Sequence, residues 1–62
     1  MIGNFFKYKN ITYVVKDECK FKNPETREWV EAFLYSPIES NKIMSINYVR
    51  SKEDFFKKFK KI

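Results

Sequence analysis

At 62 residues the chain makes one domain with little surface to bury, and stability at this size normally needs disulfides, a metal, self-association or a dense core. A single cysteine, Cys19, excludes an internal disulfide, and the lack of histidine argues against a zinc site. Aromatic residues at 19% and a formal net charge of +5 leave an aromatic core, a homo-oligomer (most simply a dimer) or both, with a surface suited to phosphates or acidic partners.

The start, MIGNFFKYKN, is too broken by polar residues to read as a secretory leader, and no apolar run approaches a membrane span. With one free thiol this predicts a cytosolic protein, in the host cytoplasm if it is viral. Residues 5–8 form a first strand, with Phe6 and Tyr8 on one face. Lys9-Asn10 is a tight turn, because Asn tolerates positive φ. Residues 11–21 alternate: Ile11, Tyr13, Val15, Asp17, Cys19 and Phe21 share a face, and Asp17 among apolar neighbours marks a bulge or bend. Residues 22–26, around Pro24, make a turn.

Residues 27–36 give the strongest strand, apolar on both faces and therefore central. Trp29, Glu31, Phe33 and Tyr35 lie on one side, Val30, Ala32 and Leu34 on the other. A helical reading of EWVEAFLY competes, since Glu, Ala and Leu favour helix. A longer loop at 36–42, containing Pro37, leads to a last strand at 43–50. A helix then covers residues 51–60. Ser51 caps it and Asp54 completes a capping box, with acids in the first turn and lysines in the last. Phe55, Phe56, Phe59 and Ile62 form its apolar stripe. The expected fold is α+β: a small twisted antiparallel sheet of about four strands, curled as an SH3-like half-barrel, carrying one C-terminal amphipathic helix.

Gly3, the Tyr13-x-Val15 strand, the Thr26-x-Glu28 turn, Tyr35, and Tyr48-Val49-Arg50 ahead of a helix bearing Phe55 together resemble the small DUF1653-type proteins of bacteria and their phages. Ser51 stands where that family has proline. The resemblance implies a compact β-rich domain and no chemistry. The Asn-, Lys- and Ile-rich composition resembles that of AT-rich phage or mobile-element genes.

Catalysis has little to work with. Histidine, the usual acid–base group near neutral pH, is absent. Asp17 and Glu18 are adjacent and point to opposite faces of a strand, Glu53 and Asp54 serve the helix start, and Cys19 has no candidate base beyond lysine. One glycine cannot build a phosphate loop. The chain therefore reads as a non-enzymatic binding protein that needs no cofactor or metal.

Residues 48–62 hold six bases against two acids, so +4 of the net +5 lies there. Aromatics beside bases can stack on nucleobases while the bases hold phosphate. The expected ligand contacts are Arg50, Lys52, Arg27, Trp29, Tyr35 and Tyr48, with Lys7 and Lys9 near strand ends. Arg50 leads, at a strand–helix junction where helix N–H groups also point, and a structural pair with Glu28 or Glu31 is its competing role. The expected ligand is nucleic acid or a sequestered signalling nucleotide. The alternative is a protein-binding inhibitor or adaptor, for example of a host defence protein, using a sheet edge or the lysine face of the helix. In an oligomer, the seam falls at or near Trp29, Phe33 or Tyr35.

Overall fold

The computed structural model describes residues 3–62. Six strands and one helix follow in the order β1 (Phe5–Tyr8), β2 (Ile11–Lys22), β3 (Trp29–Glu39), β4 (Lys42–Ile43), β5 (Tyr48–Ser51), α1 (Lys52–Lys58) and β6 (Lys60–Lys61). All strand pairs are antiparallel; the sheet runs β4-β3-β2-β1-β6, and β5 pairs β3 beside β4. The protein is thus a small β-rich antiparallel sheet with one short helix. β3 is central, and EWVEAFLY is strand from Trp29 onward, not helix. Among the described residues no helix is long and apolar enough to cross a membrane.

Two tight hairpins set the register. Lys9 and Asn10 have φ of 51° and 65°, and Ser40 and Asn41 have 51° and 61°. Two consecutive positive φ values match the twist of the flanking strands, which is why such turns join hairpins. The expected loop at 36–42 is instead the end of β3, a two-residue turn and the start of β4. Pro37 is tolerated inside the strand for a specific reason. Its carbonyl accepts from the Met44 amide at 2.9 Å, so its own nitrogen faces the same edge. On that edge residues 44–47 leave the sheet between β4 and β5, so the missing N–H costs no ladder bond there. This departure splits the expected last strand in two. Asn47 pins the excursion: its Oδ1 accepts from the buried Ser36 hydroxyl at 2.9 Å and from Lys16 Nζ at 2.8 Å.

The register of β2 on β3 shifts between Val15 and Asp17: Val15 lies opposite Tyr35, and Asp17 opposite Leu34. Lys16 is the extra residue of a bulge, as Asp17 led one to expect. The consequence corrects the single face assigned to residues 11–21. Tyr13 and Val15 share a face with Tyr35, whereas beyond the bulge Glu18 takes the place opposite Phe33, and Asp17, Cys19 and Phe21 turn to the opposite face.

The helix packs on the Phe33–Tyr35 face. Ser51 Oγ accepts from the Asp54 amide at 3.2 Å, one half of a capping box; the Asp54 carboxylate turns to Arg50 and Lys58 rather than back to Ser51. The helix ends earlier than expected. Phe59 is already extended, although its N–H still donates to the Phe55 carbonyl at 2.8 Å, and β6 then pairs with the edge of β1. Ile62 therefore leaves the helical stripe, and its N–H donates to the Phe5 carbonyl at 3.2 Å.

The core is a cluster of Phe6, Val15, Phe33, Tyr35, Phe55 and Phe59, flanked by Tyr8 and Tyr13. Phe55 is fully buried, stacks on Phe59 with centroids 4.1 Å apart, and meets Phe6, Phe33 and Tyr35 edge-on at 4.9, 5.1 and 5.4 Å. Offset and edge-to-face pairs of this kind add to the burial itself. Phe33 and Tyr35 are sealed by this packing, so of the three residues expected near an oligomer seam only Trp29, 66% exposed, lies open. The reason is length. Seven helical residues span about 10 Å, roughly three residues of strand. Trp29 lies beyond that cover, on a two-stranded ribbon where Lys20, Phe21 and Lys22 pair with Glu31, Val30 and Trp29. The ribbon makes the molecule long, 39 × 22 × 18 Å, with a radius of gyration of 12.0 Å, against about 10.5 Å for a compact chain of this length.

Phe55→Ala and Phe59→Ala should each cost about 3–5 kcal/mol, comparable with the whole stability of so small a domain. Phe56→Ala, whose ring is half exposed, should cost about 1 kcal/mol or less. Urea melts followed by circular dichroism distinguish the three variants; a wild-type-like melt for Phe55→Ala would show that the helix does not hold the fold.

Candidate functional site

Of the expected contacts, Arg50, Tyr35 and Tyr48 come together. Tyr35 pairs with Tyr48 across β3 and β5, their ring centroids 5.7 Å apart. Arg50 Nε donates to the Tyr35 hydroxyl at 3.2 Å, and its Nη1 donates to Asp54 Oδ2. The guanidinium also lies over the rings of Tyr8 and Phe59, 5.7 and 5.4 Å from their centroids. Neither Glu28 nor Glu31 is its partner. The anion at this junction is the chain's own Asp54, so the planar fork expected to grip phosphate is spent on the fold. Tyr35 is buried beneath it.

Lys52 is engaged as well. Its ammonium donates to Glu18 Oε1, stands 3.8 Å from Glu31 Oε1 and lies 5.3 Å from the Phe33 centroid. The bulge at Lys16 makes this clasp possible by placing Glu18 opposite Phe33. Arg27 and Trp29 lie apart from this group, at the far end of the ribbon. There Arg27, at φ 61°, donates its N–H to the Asn23 carbonyl at 2.7 Å within the closing turn.

The charge states follow from these contacts. The hydrogen bond from Arg50, with help from Lys58, holds the Asp54 carboxyl below its usual range, and the hydrogen bond from Lys52 does the same for Glu18. The reciprocal bond to Glu18 raises Lys52, and Arg50 is raised first by Tyr35 and then by Asp54.

A different set of bases gathers at one corner. Lys7, Lys9, Lys58 and Lys60 line a groove of about 270 Å³ together with Tyr8 and Asn10. Among the described residues Lys7, Lys9 and Lys60 make no ion pair, and no acidic side chain lines the groove; Lys58 alone reaches a carboxylate, Asp54, at 3.6 Å. Lys9 sits over the Tyr8 ring, 5.3 Å from its centroid. Two connections assemble this corner: the Lys9-Asn10 turn, and the return of the chain from α1 to β1, which pairs Lys60 with Lys7. The second was not visible in the sequence. The lysine run at 57–61 reads as one face of a helix, and only the break at Phe59 directs Lys60 to the sheet. Comparison with family models, with curated proteins and with solved structures finds no match to this chain.

Two outcomes are expected for the internal pairs. Arg50→Lys should lower stability by about 1–2 kcal/mol, because an ammonium cannot serve Asp54 and Tyr35 with the same fork, and so lower Tm by roughly 8–15 °C. The carboxylates predict a pH dependence. Both folded-state values lie below those of the unfolded chain. Their contribution is therefore complete above the unfolded carboxylate pKa near 4 and is lost as pH falls through the lower folded values. Tm should drop on acidification into that window, and Asp54→Asn with Glu18→Gln should start lower at neutral pH and show a flatter acid limb in the melting profile.

Proposed function

We propose that this is a non-catalytic binding protein for a phosphate-bearing ligand, held at the corner formed by Lys7, Lys9, Lys58 and Lys60. The observation that carries the reading is the division of the cations: Arg50 and Lys52 are consumed by internal acids, whereas these lysines converge on one groove without an acidic lining. A lysine corner of this kind attracts phosphate as a set of point charges, without the geometric selectivity of an arginine fork. Nucleic acid fits better than a single sequestered nucleotide, because the corner is an open surface that several phosphates can reach in succession. A sheet curled in the SH3-like manner would present the corner at one end of the body. The resemblance to the DUF1653-type proteins adds no chemistry to this reading. Should no phosphate ligand bind, the protein-binding adaptor or inhibitor is the reading that replaces it.

The test is fluorescence anisotropy of a labelled oligonucleotide between about 50 and 200 mM salt. Four phosphate contacts on a single strand predict a slope of log K against log salt near −3. Lys7→Gln or Lys60→Gln should each weaken binding and reduce that slope by about 1. Arg50→Lys should leave affinity unchanged where the protein remains folded. A salt-independent affinity, or lysine variants that bind like wild type, would remove the corner from the site.

A further inference from the structure

The face of the sheet opposite the helix carries a second, larger groove of about 620 Å³. Phe5, 50% exposed, gives it an aromatic surface, and Ile38, Ile43 and Ile62 supply apolar walls. Thr12, Ser40 and Asn41 line it too, so hydroxyl and amide groups that donate and accept hydrogen bonds stand at an apolar site. Its volume is that of a small-molecule pocket, and a few polar groups in an apolar lining are the usual composition of one.

The strand register links this groove to the lysine corner. Thr12 pairs with Lys7, and Lys7 with Lys60. Lys7 lies two residues from Phe5, and Lys60 two from Ile62, so these side chains share the face of the groove about 7 Å farther along the strands. Charge thus stands beside the apolar groove at the separation a nucleotide spans between its base and its phosphate.

We propose that this face binds single-stranded nucleic acid. One base lies on Phe5 in the groove, its edge meeting Asn41, Ser40 or Thr12, and the adjoining phosphates rest on Lys7 and Lys60. The proposal rests on the phosphate-binding reading of the lysine corner and adds the ligand class. Bases inside a duplex are stacked on each other and cannot lie flat on a protein ring, whereas an aromatic platform beside a cationic track is the recurring solution for single strands. A second copy of the chain fits the face less well, since a twofold contact there would bring Lys7 and Lys60 near their own images in a protein of net charge +5. A purely apolar ligand would leave the lysines and the three polar side chains without a role.

The experiment compares oligothymidylate with a duplex of equal length, by anisotropy at low salt, for the wild type, Phe5→Leu and Phe5→Tyr. Phe5→Leu keeps apolar bulk at a half-exposed position while removing the ring, and its melting curve checks the fold. The expected result is a loss of about tenfold or more for the single strand in Phe5→Leu, little change for the duplex, and wild-type affinity in Phe5→Tyr. Equal affinity of wild type and Phe5→Leu for the single strand, with binding still sensitive to Lys7→Gln, would overturn the assignment of the groove and leave the lysine corner standing. Absence of binding to either oligonucleotide would overturn both. A wild-type dimer that Phe5→Leu converts to monomer in sedimentation would give the groove to a second copy and likewise overturn the proposal.

Discussion

The structure depends on one ring. Phe55 is inserted from a seven-residue helix into a face built by β1, β2 and β3, and it touches Phe6, Phe33, Tyr35 and Phe59 at once. A helix this short has no stability of its own in water. It exists because the sheet provides a place for Phe55 and Phe59, and that face is kept from water because the helix covers it. Ser51 and Arg50 serve this arrangement, one capping the helix and the other tying its first turn to Tyr35 through Asp54. The polar groups near the core are thus anchors for the helix, which explains why the most specific phosphate-binding side chain in the sequence is not on offer to a ligand.

What could be read from the sequence was local. The first strand, the Lys9-Asn10 turn, the central strand, and the helix start at Ser51 each follow from neighbouring residues: alternation, an Asn that accepts positive φ, a hydroxyl three residues before an acid. Asp17 announced a bulge, because an acid on an apolar face needs a reason. What could not be read was the outcome of competition between partners. Pro37 looks like the end of a strand, and only the excursion of residues 44–47 on the same edge makes it harmless. Lys60 and Lys61 look helical until the unpaired edge of β1 is known to be available. The site was less legible than the fold for the same reason. Whether a lysine or arginine is free depends on where the acids lie in space, and the bulge at Lys16 moved Glu18 into reach of Lys52.

Two groups of bases differ as a result. Arg50 and Lys52 sit where the strand enters the helix, close to acids on three elements, and they hold the parts of the fold together. Lys7, Lys9 and Lys60 line the groove beside the Lys9-Asn10 turn and, among the described residues, make no ion pair. The lysines of the groove add positive field at this corner, where it acts on what approaches from solvent.

The pairing of β6 with β1 joins residues far apart in sequence. Ile62 bonds to Phe5, and Lys61 lies beside Phe6. Contacts of such long sequence separation carry the largest loop-closure cost. The two hairpins with tight turns, by contrast, join neighbouring residues and carry a small closure cost. The wall that Ile62 gives to the apolar groove, and the juxtaposition of Lys7 with Lys60, depend on the pairing of β6 with β1. Opening that clasp would leave the β1–β2 and β2–β3 pairings in place and both grooves incomplete, so the two candidate surfaces share one dependence on the meeting of the chain's distant ends.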